Sequence, residues 1–252
     1  MNIATILPNK YLHLEDDNDY HLCLAHLLHD RTYREWFREK ATRGDMVIMD
    51  NGVVETGKAM EMSRLMDLGA SVGVSEIILP DEIYNRDETL FMGMDAMSEF
   101  VTAMGTDYEK ESLPLMAVPQ GATAMEWVDC VKRMIEWPVR TIGISRFTNK
   151  YFTSRLRALE CVPELINSDK QIHLLGCPGD PIEFSEVETS FPGRIRGIDS
   201  GVAVIYATAG ILMGDDPANK PNVEIDFFGE GLNDWVVREN VEYWRKRSRG
   251  NF

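Results

Sequence analysis

A chain of 252 residues with 44% hydrophobic and 27% charged residues reads as one globular domain with a full core, at a length that an α/β barrel routinely reaches. No apolar run approaches the ~20 residues needed to cross a bilayer, and the start MNIATILPNKYLHLEDD lacks the basic region and long apolar stretch of a signal peptide, so a soluble, cytoplasmic protein is expected. The net charge of -15 argues against polyanionic partners unless a local basic surface offsets it, and cysteines scattered singly, with no C-x-x-C pair, argue for reduced thiols.

Short apolar runs then alternate with longer amphipathic segments. The first run is IATIL at 3–7. The segment DNDYHLCLAHLLHDRTYREWFREKA reads as mostly helical after Tyr20, which leaves a strand either missing near Tyr11 to Leu14 or supplied late in the chain. Next come MVIM at 46–49, EIIL at 76–79, LMAV at 115–118, RTIGI at 140–144, IHLLG at 172–176 and IRGI at 195–198, with VEIDFF at 223–228 as the late candidate. Between them GKAMEMSRLMDLGA, TAMEWVDCVKRMIEW and TSRLRALECVPELI repeat apolar positions at three and four residues, as helices do. Eight runs in about 230 residues predict an α/β fold with a parallel sheet, a (βα)8 TIM-like barrel forming a single domain over 1–252, with a doubly wound open sheet as the runner-up. Residues 229–252 are expected to form a C-terminal helix and a basic tail.

Polar residues close these runs: Asp50, Asp81, Gln120, Ser145, Cys177 and Asp199 each stand at or just past the carboxyl end of a predicted strand. In a parallel barrel those ends converge on the face that carries the active site. Any one of them is explained by turn chemistry, since Asp-Asn-Gly after MVIM is a turn sequence in its own right. Recurrence favours a site. In LPDEIYNRDE, alternation lets only one of Asp81 and Glu82 face the mouth. The glycines flanking Asp199 in GIDSGVAV leave room around a carboxylate with a nucleophilic or basic role.

Other motifs are weaker. Gly176-x-x-Gly179 is too short for a dinucleotide fingerprint, and nothing resembles a phosphate loop. His21, His26 and His29 fall close together with Cys23, but no partner cluster follows, so zinc is not expected and no cofactor is assigned. Asp180 and Glu183 read as helix N-terminal charges.

In order, the blocks MDNGVVETG, LPDEIYN, VPQGAT, IGISR, HLLGCPGDP and GIDSGVAVIYA resemble those of the tRNA-guanine transglycosylase superfamily, over about residues 46 to 210, and NDYHL at 18–22 is similar to a further family block. The resemblance implies a barrel in which Asp199 is the nucleophile that forms a covalent glycosyl intermediate and Asp50 is the general base. It implies that Asp81 reads the edge of a purine, assisted by Gln120, Gly121, Gly143 and Ile144, with Leu175 and Gly176 lining a flat base pocket. The family's zinc-binding subdomain has no counterpart, since no cysteine follows Cys177, and VVE and ISR stand where the family has Gly-Phe-Gln and Gly-Gly-Leu. A short member without zinc resembles the DNA-guanine transglycosylases of phages and genomic islands, which place 7-deazaguanine derivatives in DNA. The implied partners are DNA, with tRNA as the alternative, and a free base such as 7-cyano-7-deazaguanine. A phage-encoded enzyme would work in the host cytoplasm, and a homodimer stays open.

Three basic stretches bear on that expectation: Arg146, Lys150, Arg155 and Arg157 after the IGIS run, Arg194 and Arg196 before Asp199, and WRKRSRGNF at the end. The first group is expected at the mouth, with Arg146, Lys150 and Arg155 gripping a nucleic-acid backbone, and the second at the opposite barrel end. A non-catalytic base-binding homologue and a metal-independent barrel hydrolase or lyase of small metabolites are the competing readings.

Overall fold

The computed structural model describes residues 1–105, 112–177, 179–229 and 231–250. Eight parallel strands form one sheet: β1 Asn2–Thr5, β2 Tyr20–Leu24, β3 Met46–Asp50, β4 Glu76–Ile78, β5 Leu113–Ala117, β6 Val139–Ser145, β7 Gln171–Leu175 and β8 Ile195–Ser200. Hydrogen-bonded neighbours run β1-β8-β7-β6-β5-β4-β3-β2, so the sheet curls round until β1 faces β2. At that seam the amide of Asn18 donates to the carbonyls of Ile3 at 2.8 Å and Tyr20 at 2.7 Å, tying the two strands through a side chain. The result is the (βα)8 barrel expected, in a single domain.

The strands form where both faces are buried. Val47, Ile48 and Met49 are fully enclosed, which is why MVIM shows no polar alternation. Helices cover the outside with their apolar stripes. Trp127, Val131 and Met134 of the helix Ala124–Ile135 are buried, as are Val237, Val241 and Trp244 of the helix Asp234–Ser248. Side chains of this size each stabilise by roughly 1.5–3 kcal/mol on burial. Helix starts are set by the side chains of Asp30, Asn85, Thr123, Ser154 and Asn233, which accept from backbone N–H groups of the first turn.

Seven strands coincide with predicted runs; the eighth does not. YHLCL is strand β2, not the start of a helix, and only after the short turn Ala25–Leu27 does the helix Arg31–Arg43 begin. Tyr11 to Leu14 lie in a 3-10 helix, Asn9–Glu15, and 223–228 is irregular loop. The misreading has a simple cause: all five residues of β2 are buried, so the strand carries no alternation to tell it from a buried helix. The C-terminal helix is present as Asp234–Ser248, and the last two residues of the basic tail, like Pro178 in GCPGDP, lie outside the described residues.

Two irregularities shape the interior. Between β7 and β8 the register passes from Ile172↔Ile195 to His173↔Gly197, so β8 advances two residues for one of β7. Arg196 is the extra residue of this bulge, and the bulge turns a side chain that alternation would send outward into the barrel. A second register shift, between Leu113 and Met116, falls at Pro114, which has no N–H to give to the ladder.

Candidate active site

The carboxyl ends of the strands surround a cavity of about 550 Å³ lined by Asp50, Asn51, Asp81, Gln120, Ser145, Arg146, Leu175, Gly176, Asp199 and Ser200, with apolar walls from Leu22, Leu24, Ile78 and Val118. Asp-Asn-Gly after β3 turns out to be turn and site at once. Gly52 adopts a left-handed φ of 80°, and its N–H donates to Asp50 Oδ2 at 2.8 Å. Asn51 accepts from the Val53 N–H through Oδ1 and donates through Nδ2 to Asp81 Oδ1 at 2.6 Å. Gln120 Nε2 donates to the other oxygen, Asp81 Oδ2, at 2.7 Å. Asp81 is thus gripped by two amides, while Glu82 points away from the cavity.

Three of the cavity's carboxyl groups, Asp50, Asp81 and Asp199, sit in different surroundings. Burial pushes Asp50 well above the usual carboxylate range, and the charges of Glu55, Asp199 and Asp81 push the same way, against one N–H from Gly52. Asp50 lines the cavity although protein surrounds it, so a carboxyl whose protonated form burial favours faces a ligand. Burial also raises Asp81, to about 6, against the pull of the Asn51 and Gln120 amides. Asp199 is 4% exposed, and its Oδ1 lies 2.9 Å from His173 Nε2. Burial lowers the affinity of His173 for a proton, opposed by Asp199 itself.

Cations are few here. Arg146 is half-buried in the cavity wall and has no ion pair or hydrogen bond among the described residues; its guanidinium lies 5.1 Å from the centre of the Phe147 ring. A Cβ at Gly176 would stand 3.1 Å from Arg146 Cδ, so the glycine makes room for the arginine stem. Lys220, half-buried on the loop after the helix Val202–Thr208, is pushed down to about 8 by burial and by the charge of Arg146. His26 also lines the cavity, and its Nδ1 has no partner among the described residues. No lysine lines the cavity among those residues, nor does any group of three His, Cys, Asp or Glu side chains gather as a metal site requires.

Of the residues expected at the site, Asp50, Asp81, Gln120, Arg146, Leu175, Gly176 and Asp199 are brought together. Gly121, Gly143, Ile144, Lys150 and Arg155 are not. Gly121 backs onto Trp127, Ile144 is fully buried, and a Cβ at Gly143 would lie 2.8 Å from both Leu175 Cδ1 and Met116 Sδ, making it a packing glycine of the barrel wall. Lys150 lies over the Tyr84 ring at 3.9 Å. Arg155 cannot grip a nucleic acid: it is fully buried, bonded to Glu183 Oε2 at 2.7 Å and to the carbonyls of Leu175 and Gly176. Glu183 is therefore the counter-charge of Arg155, while Asp180 does accept the Ile182 N–H at a helix start. Arg194 lies at the opposite barrel end, as expected, donating to the carbonyls of Leu165, Ser168 and Lys170.

Sequence reasoning missed Asn51, His26 and His173. Asn51 hid inside a turn signal. His173 was visible as the lone polar residue within the apolar run IHLLG.

No protein-family model matches the chain, and no curated protein sequence matches it. Solved structures do. The YdjI aldolase from Escherichia coli K12 is 11% identical with a TM-score of 0.56, over 98% of this chain and 88% of that one. A putative fructose-1,6-biphosphate aldolase from Coccidioides immitis is 14% identical with a TM-score of 0.49, over 98% and 86%. DHDPS from Cyanidioschyzon merolae is 13% identical with a TM-score of 0.46, over 98% of both chains. These proteins are enzymes, and at such identities the likeness establishes the barrel alone.

The transglycosylase resemblance is overturned. The solved structure that the chain matches at a TM-score of 0.56 is an aldolase, and no family model supports the resemblance. The reading of a DNA- or tRNA-guanine transglycosylase, with a 7-deazaguanine substrate and a covalent glycosyl intermediate on Asp199, falls with it. There is a physical counterpart in the departures already visible in the sequence: the Arg that stands in ISR lies against Gly176, across the floor where a flat base was to stack.

Among the described residues no helix is long and apolar enough to cross a membrane.

Proposed function

We propose that the protein is an enzyme of acid–base chemistry acting on a small, anionic, hydroxylated carbonyl compound, with aldol-type cleavage of a carbon–carbon bond as the reaction its mouth serves best. One observation carries this reading: a carboxyl whose protonated form burial favours, Asp50, and an acceptor carboxylate, Asp199, line the same cavity as an arginine that makes no ion pair among the described residues. Asp199 would take the proton of the substrate hydroxyl; the carbon–carbon bond would break to leave a carbonyl fragment and an enolate. Asp50 would protonate the enolate oxygen as it forms, and Asp199 would then pass the hydroxyl proton to the carbon next to the carbonyl while the enol O–H returns its proton to Asp50. Arg146, with Lys220 beside it, would hold the anionic group, and the amides of Asn51 and Gln120 fix Asp81 as a further acceptor for substrate hydroxyls. The YdjI protein is named an aldolase, and a shared barrel makes such chemistry feasible at this mouth without assigning it. Three buried cysteines without a disulfide fit a reducing, cytoplasmic setting.

Lys220 favours a second reading, in which its amine, deprotonated more readily than an ordinary lysine and beside the cavity-lining Arg146 though not itself in the lining, swings in to form an imine with the substrate carbonyl. The two separate in one experiment. Protein in D₂O is incubated with pyruvate or dihydroxyacetone phosphate, and deuterium entering the carbon next to the carbonyl is followed by NMR, with and without borohydride. Exchange that is lost in Asp199→Asn and leaves no reduced adduct supports the carboxylate reading. A borohydride-trapped adduct on Lys220 replaces it with the imine. Absence of exchange, together with no shift in melting temperature from either anion, overturns both.

A further inference from the structure

A line of hydrogen bonds runs down the barrel interior from the mouth to the opposite end, and its direction follows from the groups at its two ends, a carboxylate that accepts at the mouth and a guanidinium that can only donate at the bottom. Arg196 Nε lies 3.1 Å from Tyr20 Oη. A guanidinium can only donate, so the tyrosine oxygen accepts there and its own proton is free to point onward. It meets His173 Nδ1 at 2.7 Å. With Asp199 Oδ1 the acceptor 2.9 Å from Nε2, the one proton of a neutral ring belongs on Nε2, and Nδ1 is left as the lone-pair nitrogen that accepts from the phenol O–H. The guanidinium is itself pinned by Glu76, with Nη2 at 2.6 Å from Oε2 and Nη1 at 3.1 Å from Oε1, and by Thr141 Oγ1 at 2.9 Å.

Two departures from regular strand structure serve this line. The bulge in β8 turns Arg196 inward. One residue on, Gly197 stands where any Cβ would come within 2.6 Å of the Tyr20 ring, so β8 gives up a side chain to let the phenol pass. The bottom members come one each from β2, β4, β6 and β8, the alternate-strand layer that fills a barrel of this kind and is ordinarily apolar. An apolar layer would fill the space as well, at lower desolvation cost.

We propose that Arg196, Tyr20 and His173 are a positioning relay that holds His173 in the Nε2–H tautomer and so presents Asp199 to the cavity as an acceptor carboxylate, Oδ1 engaged and Oδ2 left for the ligand. The relay rests on the reading of Asp199 as the base, but its own signature does not need a substrate. Tyr20 and His173 touch no ligand; they act through Asp199.

The test uses the full chain labelled with ¹⁵N-histidine, the His173 signals being assigned by loss in His173→Gln. Long-range ¹H–¹⁵N spectra should show Nε2 protonated and Nδ1 bare between pH 6 and 8, and Tyr20→Phe should shift the Nδ1 resonance and abolish the single tautomer. Tyr206→Phe removes a hydroxyl that donates to the Asp216 carbonyl, away from the relay, and should leave the His173 signals in place. In the ketone exchange assay Tyr20→Phe should lower kcat by roughly tenfold to a hundredfold at unchanged KM, the cost of a misplaced reacting group. A proton on Nδ1 in the wild type overturns the relay, as does an unchanged His173 spectrum in Tyr20→Phe; the wild-type spectrum decides even if the variant fails to fold. Relay signals as expected with no exchange on any ketone would instead count against the proposed function, leaving the tautomer assignment standing.

Discussion

The two ends of the barrel handle charge in opposite ways. At the bottom the two arginines are held: Arg196 is paired with Glu76 and further bonded by Thr141 and Gln171, and Arg194 reaches three carbonyls through Nη2, with its Nε left over. At the top, Asp50 has other carboxylates as its charged neighbours, Arg146 feels Glu55 but makes no ion pair among the described residues, and His26 Nδ1 has no partner there. Matched groups cost little once formed, whereas unmatched ones are a standing penalty that selection for stability alone would remove. The contrast assigns stability to the lower layer and chemistry to the upper one, in keeping with what barrel ends do in general.

The comparison breaks first at the bottom. Arg196→Met leaves Glu76 buried with only the Thr141 hydroxyl bonded to it, a charge without a counter-charge that costs about 3–5 kcal/mol. Urea unfolding of the wild type and the variant measures it. Replacing both partners, Glu76→Leu with Arg196→Met, should recover much of the loss. A single variant as stable as the wild type would show that the lower layer does not hold the barrel.

At the top the same chemical change should leave folding and remove function. Asp199→Asn and Asp50→Asn should each lower ketone exchange by ~10²–10⁴-fold, the usual worth of a positioned proton-transfer group. Asp50→Asn should at the same time be as stable as the wild type or more so, because the amide has no charged form for burial to penalise. Loss of stability with full exchange activity would invert the assignment of the two ends.

Asp81 lies between these extremes and gives a pH signature. Its folded pKa, about 6, stands above the ordinary 3.8, so the folded state binds the proton more tightly than the unfolded state. Wild-type stability should therefore fall as pH rises from about 4 to about 6, by about 3 kcal/mol for this one group. His173 acts oppositely, its lowered affinity withdrawing stability as pH falls below 6.5. Comparing the wild type with Asp81→Asn cancels the histidine. The asparagine oxygen can satisfy only one of the two amides well, so the variant should be less stable at pH 4 by about 1 kcal/mol and regain ground toward pH 7. A difference that does not change with pH would mean Asp81 is not raised.

Much of this was legible beforehand. Parallel strands separated by amphipathic helices gave the barrel, and polar residues at strand ends located the mouth, because both follow from periodicity and chain direction. β2 was lost because burial on both sides erases the pattern that identifies a strand. Arg155 was misplaced for a related reason: its neighbours in RFTNKYFTSRLR read as a basic surface, and the Glu183 that buries it lies 28 residues on. Block order suggested a family, but short blocks of Gly, Pro and Asp at strand ends are what any barrel mouth needs. The relay partners Glu76, Tyr20 and Arg196 were each in view as polar residues in apolar runs; that they belong together is a tertiary fact.

Arg146 gives the smallest expected change in stability and the sharpest separation of the two ends. It makes no ion pair, so Arg146→Gln removes no partner and leaves no buried charge behind; its effect on unfolding should stay within about 0.5 kcal/mol. Lys220 should then recover part of its proton affinity, because a neighbouring positive charge is gone, and its pKa, followed by ¹³C NMR of methylated lysine, should rise from about 8. Affinity for dihydroxyacetone phosphate should fall by about tenfold or more, a charge-assisted contact being worth ~1.5–3 kcal/mol. Arg196, the same residue type one strand pair away, should show the reverse: a large loss of stability through Glu76 and no direct contact with the anion. If Arg146→Gln instead unfolds the protein while binding of the anion survives, the upper arginine is structural after all, and the cavity takes a ligand without negative charge.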